Sequence, residues 1–334
     1  MKTTSLIIAL AISLLLATLW EFHWCAEEYI PYVDDNKDLW ASWRRKVPEL
    51  KPNQVLIVGS SRAHFDLDIY EWEKQTGSRP MMLARVGTSP GPIIKDLAEN
   101  TDFNGILLVG VAPDLFFEPP NKGGWRRLDE RIDYFYKQTY AQRLNQFVFQ
   151  KIDPNFSYIN DHLQLKGLME WLPLPQRDSV KPYLFWPDMS VNDANRNLSM
   201  RPSMETDTAM QNAYKFIWGS WGWPKLDTSK VDTVLNLYAG WVKTIEDRGG
   251  RIIFIRAPSS GKYLEVETEA YPREIYWDEL LRRTNCTGIH FTDYTQLSGY
   301  DCPEWSHLLA KDAQTYTRDL CKILMDNDLI EPVD

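Results

Sequence analysis

The sequence predicts an α/β fold, a three-layer α/β/α sandwich built on a parallel sheet. Short, continuous apolar runs recur at 55–58, 81–86, 106–111, 252–255 and 289–292. A strand buried on both faces reads in this way, rather than as alternating apolar and polar residues. Stretches with helical periodicity separate the runs, and strands that alternate with helices build βαβ units. A hydrophobic content of 44% in 334 residues supplies the core that one large domain, or two small ones, requires.

Taken from the amino terminus, residues 3–20 carry no charge and are rich in Leu, Ile and Ala. A run of about eighteen residues just crosses a ~30 Å hydrocarbon layer as a helix. Lys2 precedes it, Glu21, Glu27, Glu28, Asp34 and Asp35 follow it, and Trp20 and Trp24 fall where an interfacial aromatic belt would lie. This pattern keeps the amino terminus in the cytoplasm and exports the rest, to the periplasm or the cell surface. A small-x-small cleavage site is missing, which favours an uncleaved transmembrane anchor over 1–26; a cleaved signal would leave the exported location unchanged.

A polar connector containing Trp40 and Trp43, helical around 39–47, spans 27–53, and the main domain occupies 54–334. Its expected helices cover 66–75, 92–99, 229–247 and 311–325. The third has Val231, Val234, Leu235, Tyr238, Trp241 and Val242 at helical spacing and is closed by Gly249-Gly250. Over about 115–230 the strand rhythm is lost and aromatic residues accumulate, which marks a long insertion. Its Trp125, Trp171, Trp186, Trp218, Trp221 and Trp223 suit either sugar-ring stacking or plain packing.

A net charge of -9, without a basic run, excludes nucleic acid as a partner. Four cysteines in an exported chain are free to pair. Cys286 and Cys302 bracket a short segment before His307, so a bridge there would pin that loop, leaving Cys25 with Cys321. Neither Cys-x-x-Cys nor zinc-ligand spacing occurs, and no metal or other cofactor is indicated.

The chemistry concentrates in two short motifs. Gly59-Ser60-Ser61-Arg62 follows the first strand, where a turn presents a hydroxyl at the edge at which α/β folds place ligands. Far downstream, Glu304-Trp305-Ser306-His307 offers an imidazole with an acid three residues before it. A histidine brought to the same edge deprotonates a serine, and the acid orients the ring. Taken alone, Ser61 is an ordinary turn serine. A dinucleotide-binding turn is excluded, because the spaced glycines are missing.

With these two motifs the chain resembles the SGNH (GDSL-like) hydrolase superfamily over about 55–115 and 230–325. The resemblance implies an SGNH/flavodoxin-like sandwich, with Ser61 as nucleophile and its own amide as an oxyanion donor. The glycine of the second block falls on Gly87. The third block reads Gly110-Val111-Ala112-Pro113-Asp114, so its asparagine is missing; Arg62 or Arg85 would substitute, or would simply form ion pairs. His307 falls on the family base, with Glu304 in place of the aspartate and Asp301 as the alternative orienter. Membrane-anchored domains of this form imply acyl transfer to, or ester hydrolysis on, a cell-surface glycan or exopolysaccharide, acetylation being the usual case. The substrates would be a glycan or an acylated small molecule, and a membrane-bound O-acyltransferase a partner. The missing asparagine and the glutamate support a second expectation, an inactive glycan-binding or scaffold domain.

Overall fold

The computed structural model describes residues 2–27, 29, 31–170, 172, 188–225 and 227–333. Trp171 and Trp186 lie outside them. Among the described residues there are seven strands: β1 (Val55–Val58), β2 (Met81–Met82), β3 (Ile106–Gly110), β4 (Ser190–Asn192), β5 (Leu198–Met200), β6 (Arg251–Arg256) and β7 (Thr287–His290). Five form one sheet in the order β2-β1-β3-β6-β7, with every pairing parallel. Strand order reverses beside β1, whose neighbours are β2 on one side and β3 on the other. The carboxyl ends of β1 and β3 therefore flank the switch point where open α/β sheets bind ligands.

Alternate residues of each strand feed two separate cores. Leu56, Val58, Leu107, Val109, Ile252 and Phe254 pack under the helices Gly91–Asn100, Val231–Glu246 and Arg273–Thr284. Val55, Ile57, Leu108, Ile253 and Ile255 pack under Ile69–Thr76 and Ala310–Asp326. Both faces are covered, which is why the strands read as continuous apolar runs. Each fully buried Leu, Ile or Phe contributes roughly 1.5–3 kcal/mol.

Several expectations change. The second strand ends at Met82 rather than 86, because Leu83 N and Ala84 N both turn to the Ile57 carbonyl and Arg85 N to that of Gly59, carrying the chain into a turn. The last strand covers Thr287–His290, not 289–292, since the next three residues form a 3₁₀ turn whose Thr292 N–H donates to His290 Nδ1. The packed core begins before residue 54: Trp40, on the helix Lys37–Arg44, is fully buried and its indole donates to the Leu83 carbonyl at 3.1 Å.

All four cysteines are free. Cys286 packs against the first core and Cys302 lies in the second, so the sheet separates the two thiols that were expected to pair. Cys321 is buried in the second core and Cys25 is exposed on the amino-terminal helix, which leaves that pair apart as well.

The described residues of 115–230 fold as helices and an antiparallel hairpin, β4–β5. The helix Gly123–Lys137 joins the first face, with the Trp125 ring seated where a Cβ on Gly91 would fall. The hairpin and the helix Thr208–Ser220 build a third, smaller core over Phe65. Arg196, fully buried, donates to the carbonyls of Met82 (2.6 Å) and Ala84 (2.8 Å) and pairs with Asp35 (2.9 Å), which closes the free edge of the sheet at β2. Burial works to raise the Asp35 carboxyl, but Arg196 and Arg131 hold it below the ordinary range.

The helix Lys2–Ala26 exposes most of its apolar side chains, with Trp24 buried near its end, and the part from Thr3 is long and apolar enough to cross a membrane.

Candidate active site

Behind β1 the chain makes a tight corner at Gly59, whose φ is +151°. A Cβ there would lie 2.7 Å from the Ala63 Cβ and 3.1 Å from the Gly110 Cα, and one on Gly110 would lie 2.5 Å from the same Ala63 carbon. The short helix Ser61–Phe65 can thus sit directly on the ends of β1 and β3 because three small residues meet there. Ser61 opens the helix and is partly exposed, whereas the four residues after it are buried.

The loop bearing His307 closes on this helix by matched contacts. Arg62 Nε donates to the Ser306 carbonyl at 3.2 Å, the Phe65 and His307 rings lie 4.6 Å apart, and Leu308 N donates to Asp66 Oδ1 at 3.0 Å. Residues four apart share one helix face. Ser61 is therefore on the face of Phe65, whose ring lies against that of His307, so the helix that Ser61 opens and the loop of His307 pack together although the sequence holds them far apart. No hydrogen bond links Ser61 Oγ to His307; Nε2 of the ring is buried without a partner.

The other ring nitrogen is firmly held. Glu304, fully buried, receives His307 Nδ1 at 2.9 Å, His307 N at 2.6 Å and Ser306 N at 3.2 Å on Oε1, and Trp218 Nε1 at 2.7 Å on Oε2. Burial alone would raise this carboxyl, but His307 and the hydrogen bonds hold it below the usual range. An ionised carboxylate only accepts, so Nδ1 is the donor, and in the neutral ring the lone pair is on Nε2. That is the tautomer a general base needs. Trp305 adopts φ +78°, a conformation that costs a non-glycine residue roughly 1–2 kcal/mol. Its ring is seated on Gly261, where a Cβ would approach to 2.5 Å, and its carbonyl accepts Ser260 N at 2.9 Å.

The remaining predicted residues separate into distinct places. Asp301 is exposed and accepts Ser260 Oγ at 3.2 Å, so Glu304 alone of the two acids bonds to the imidazole. Arg62 pairs with Glu267 at 2.9 Å and lies over the Tyr263 ring at 5.0 Å, while its Nη1 is buried without a partner. Glu267 also receives Arg256 at 2.7 Å and Ser259 Oγ at 2.9 Å. Asp114, in the place of the missing asparagine's block, accepts the Tyr263 hydroxyl at 3.1 Å, and burial followed by the Glu267 charge raises its carboxyl. Gly87, at φ +67°, occupies the turn after β2, and its carbonyl accepts Arg127 Nε at 2.7 Å. Arg85 Nη1 donates to the Val86 carbonyl at 2.5 Å, and its Nε is buried without a partner.

His64 is excluded as the base. It is fully buried, its Nε2 lies 3.1 Å from the Arg196 carbonyl, and burial, then Arg196, lower it to about 3. Asp66 moves the other way: burial pushes it up to about 7, against the pull of His307 and the Leu308 N–H. Sequence alone offers Trp218 only as one of the insertion's aromatics and does not point to Glu267, Tyr263 or Asp66, since each reaches Arg62 or the His307 loop through the tertiary fold.

Comparison with protein-family models, with curated proteins and with solved structures returns no match for this chain.

Proposed function

We propose that this protein is a membrane-anchored SGNH-type serine acyltransferase or esterase. It would act outside the cytoplasm on a cell-surface glycan or exopolysaccharide, by O-acetyl transfer or acetyl-ester hydrolysis. The observation that carries the reading is His307, with Nδ1–H bonded to a buried carboxylate and Nε2 unpartnered, beside the helix that Ser61 opens at the switch point. In this reading Nε2 takes the Ser61 proton as Oγ attacks the acyl carbon. The tetrahedral oxyanion is met by the Ser61 and Gly87 amides, with Arg62 Nη1 as a further donor. Collapse expels the first alcohol, protonated by the imidazolium, and leaves an acyl-Ser61. A sugar hydroxyl or water then attacks, again deprotonated by Nε2. The strand order 2-1-3 around β1, continued by β6 and β7, supports a flavodoxin-like sandwich. The aromatic groups beside the site, Trp218, exposed Trp221 and Trp223 with Tyr263, suit a sugar ring. The apolar helix at the amino terminus supports the anchor and, with a membrane-bound O-acyltransferase as acyl source, the exported glycan substrate.

A fluorophosphonate probe tests this. The full-length protein should label at one serine, and Ser61→Ala should abolish labelling while the far-ultraviolet spectrum is retained. Labelling that survives in Ser61→Ala sinks the assignment. An inactive glycan-binding domain is the second reading, favoured by the missing Ser61–His307 hydrogen bond, by the missing asparagine of the block at Gly110 and by Glu304 in place of aspartate. Glycan retention on a column without any serine labelling would select it.

A further inference from the structure

The helix Tyr140–Ile152 is built inside out. Gln146 is its buried residue at 7% exposure, while Leu144 (65%), Phe147 (54%) and Val148 (42%) stand in solvent on one face. The short helix Leu165–Glu170 repeats the pattern with Leu165 and Met169 exposed. Contiguous apolar groups on the outside mark a surface that meets something other than water.

The place of this segment identifies what that is. Ser157 N and Tyr158 N donate to the Glu21 carboxylate at 2.9 and 3.0 Å, and Ser157 Oγ donates to the Tyr29 carbonyl at 2.7 Å. Glu21 is the first charge after the apolar run of the amino-terminal helix. The segment is thus fastened at the level where that helix would leave the hydrocarbon. Charge agrees with this placement. In a chain of net charge -9, Tyr140–Ile152 carries Arg143 and Lys151 and no acid. Arg143 lies over the Tyr140 ring at 5.4 Å and Lys151 over that of Phe147 at 4.4 Å. Cations flanking an apolar face, with aromatic rings between, suit a headgroup region containing anionic lipid.

We infer that Tyr140–Ile152 and Leu165–Glu170 form a monotopic lipid-contacting surface that lies in the membrane interface beside the anchor and sets the domain's orientation to the bilayer. This rests on the anchor reading above, and the test separates the two. The full-length chain is spin-labelled one position at a time, at Leu10→Cys, Leu144→Cys, Phe147→Cys, Val148→Cys and Lys322→Cys, with Cys25 and Cys286 replaced by serine. It is reconstituted in vesicles of phosphatidylethanolamine and phosphatidylglycerol, and collision with oxygen is compared with collision with a water-soluble nickel complex. Labels at 144, 147 and 148 are expected to favour oxygen, as at Leu10, with the ratio inverted at Lys322. Access of the nickel complex to 144, 147 and 148 while Leu10 stays in lipid overturns the surface and keeps the anchor. Shielding of the three from both reagents means that protein covers the face, and also overturns it. Nickel access at Leu10 overturns the anchor and the surface together.

Discussion

The loop Glu304–Leu308 and the helix Tyr140–Ile152 depart from ordinary burial in opposite directions. The first takes a carboxylate and an imidazole into the interior; the second leaves leucine, phenylalanine and valine outside and buries a glutamine. Apolar residues on a surface are common singly, so the informative cases are buried polar groups and exposed apolar patches. The two regions also differ in how the departure is compensated. Glu304 is satisfied by four donors from within the chain. Among the described residues, nothing covers the face of Leu144 and Phe147. An inversion compensated internally builds a site, whereas one left uncompensated calls for an external phase.

The largest effect should come from breaking the compensated region. Glu304→Ala strands three buried donors, Ser306 N, His307 N and His307 Nδ1, while the Trp218 indole keeps the residue's backbone carbonyl, and each stranded donor costs about 1–3 kcal/mol. A drop in denaturant midpoint at unchanged slope measures it. Glu304→Gln keeps one acceptor oxygen and should cost clearly less in stability, yet it removes the charge that fixes the His307 tautomer and so should still lower any serine labelling rate.

Asp66 is next and sharpens the account through pH. Its folded carboxyl titrates at about 7 against an ordinary 3.8, so the folded state holds a proton that the unfolded chain has released. Stability attached to Asp66 is therefore present below about 4 and lost as pH rises towards 7. At 1.4 kcal/mol per pH unit the full span is on the order of a few kcal/mol. Asp66→Asn, which keeps an acceptor for Leu308 N, should flatten that slope; equal pH slopes in the two proteins would remove Asp66 from the account.

Trp218→Phe keeps an aromatic ring of smaller size but removes the indole N–H that donates to the Glu304 carboxylate and carbonyl, the bond to the charged acceptor being worth about 1.5–3 kcal/mol. It should also slow serine labelling, because Glu304 then holds His307 less firmly. The smallest effects belong to the surface. Asp301→Asn and Leu144→Ser should each change the stability of detergent-solubilised protein by no more than about 0.5 kcal/mol. A loss at Asp301 as large as that at Glu304 would blur the distinction between the two acids. A loss of several kcal/mol at Leu144 would mean that its side chain is packed in the folded protein after all.

Local spacing was enough for much of this. The runs read at 55–58, 106–111 and 252–255 are strands, to within a residue at either end, because unbroken apolar residues suit a sheet buried on both sides. The contact of Glu304 with His307 is three residues long, and the serine turn follows directly from the strand before it, so both motifs were legible without a fold. Asp301 could not be separated from Glu304 in that way, because the choice depends on which acid the loop turns inward, and the left-handed backbone at Trp305 makes part of that turn.

The tertiary structure decided whatever depends on partners distant in the chain. Trp218 reaches Glu304 across 86 residues, Arg196 reaches Met82 across 114, and Arg62 finds its counter-charge on a helix past residue 260. Cys286 and Cys302 are near in sequence yet lie on opposite faces of the sheet. Periodicity and capping act over a few residues and are written into the order of the chain. Burial, desolvation and the pairing of polar groups are set by the three-dimensional packing that brings those short segments together, and in this protein that packing determined which nitrogen of His307 was left free.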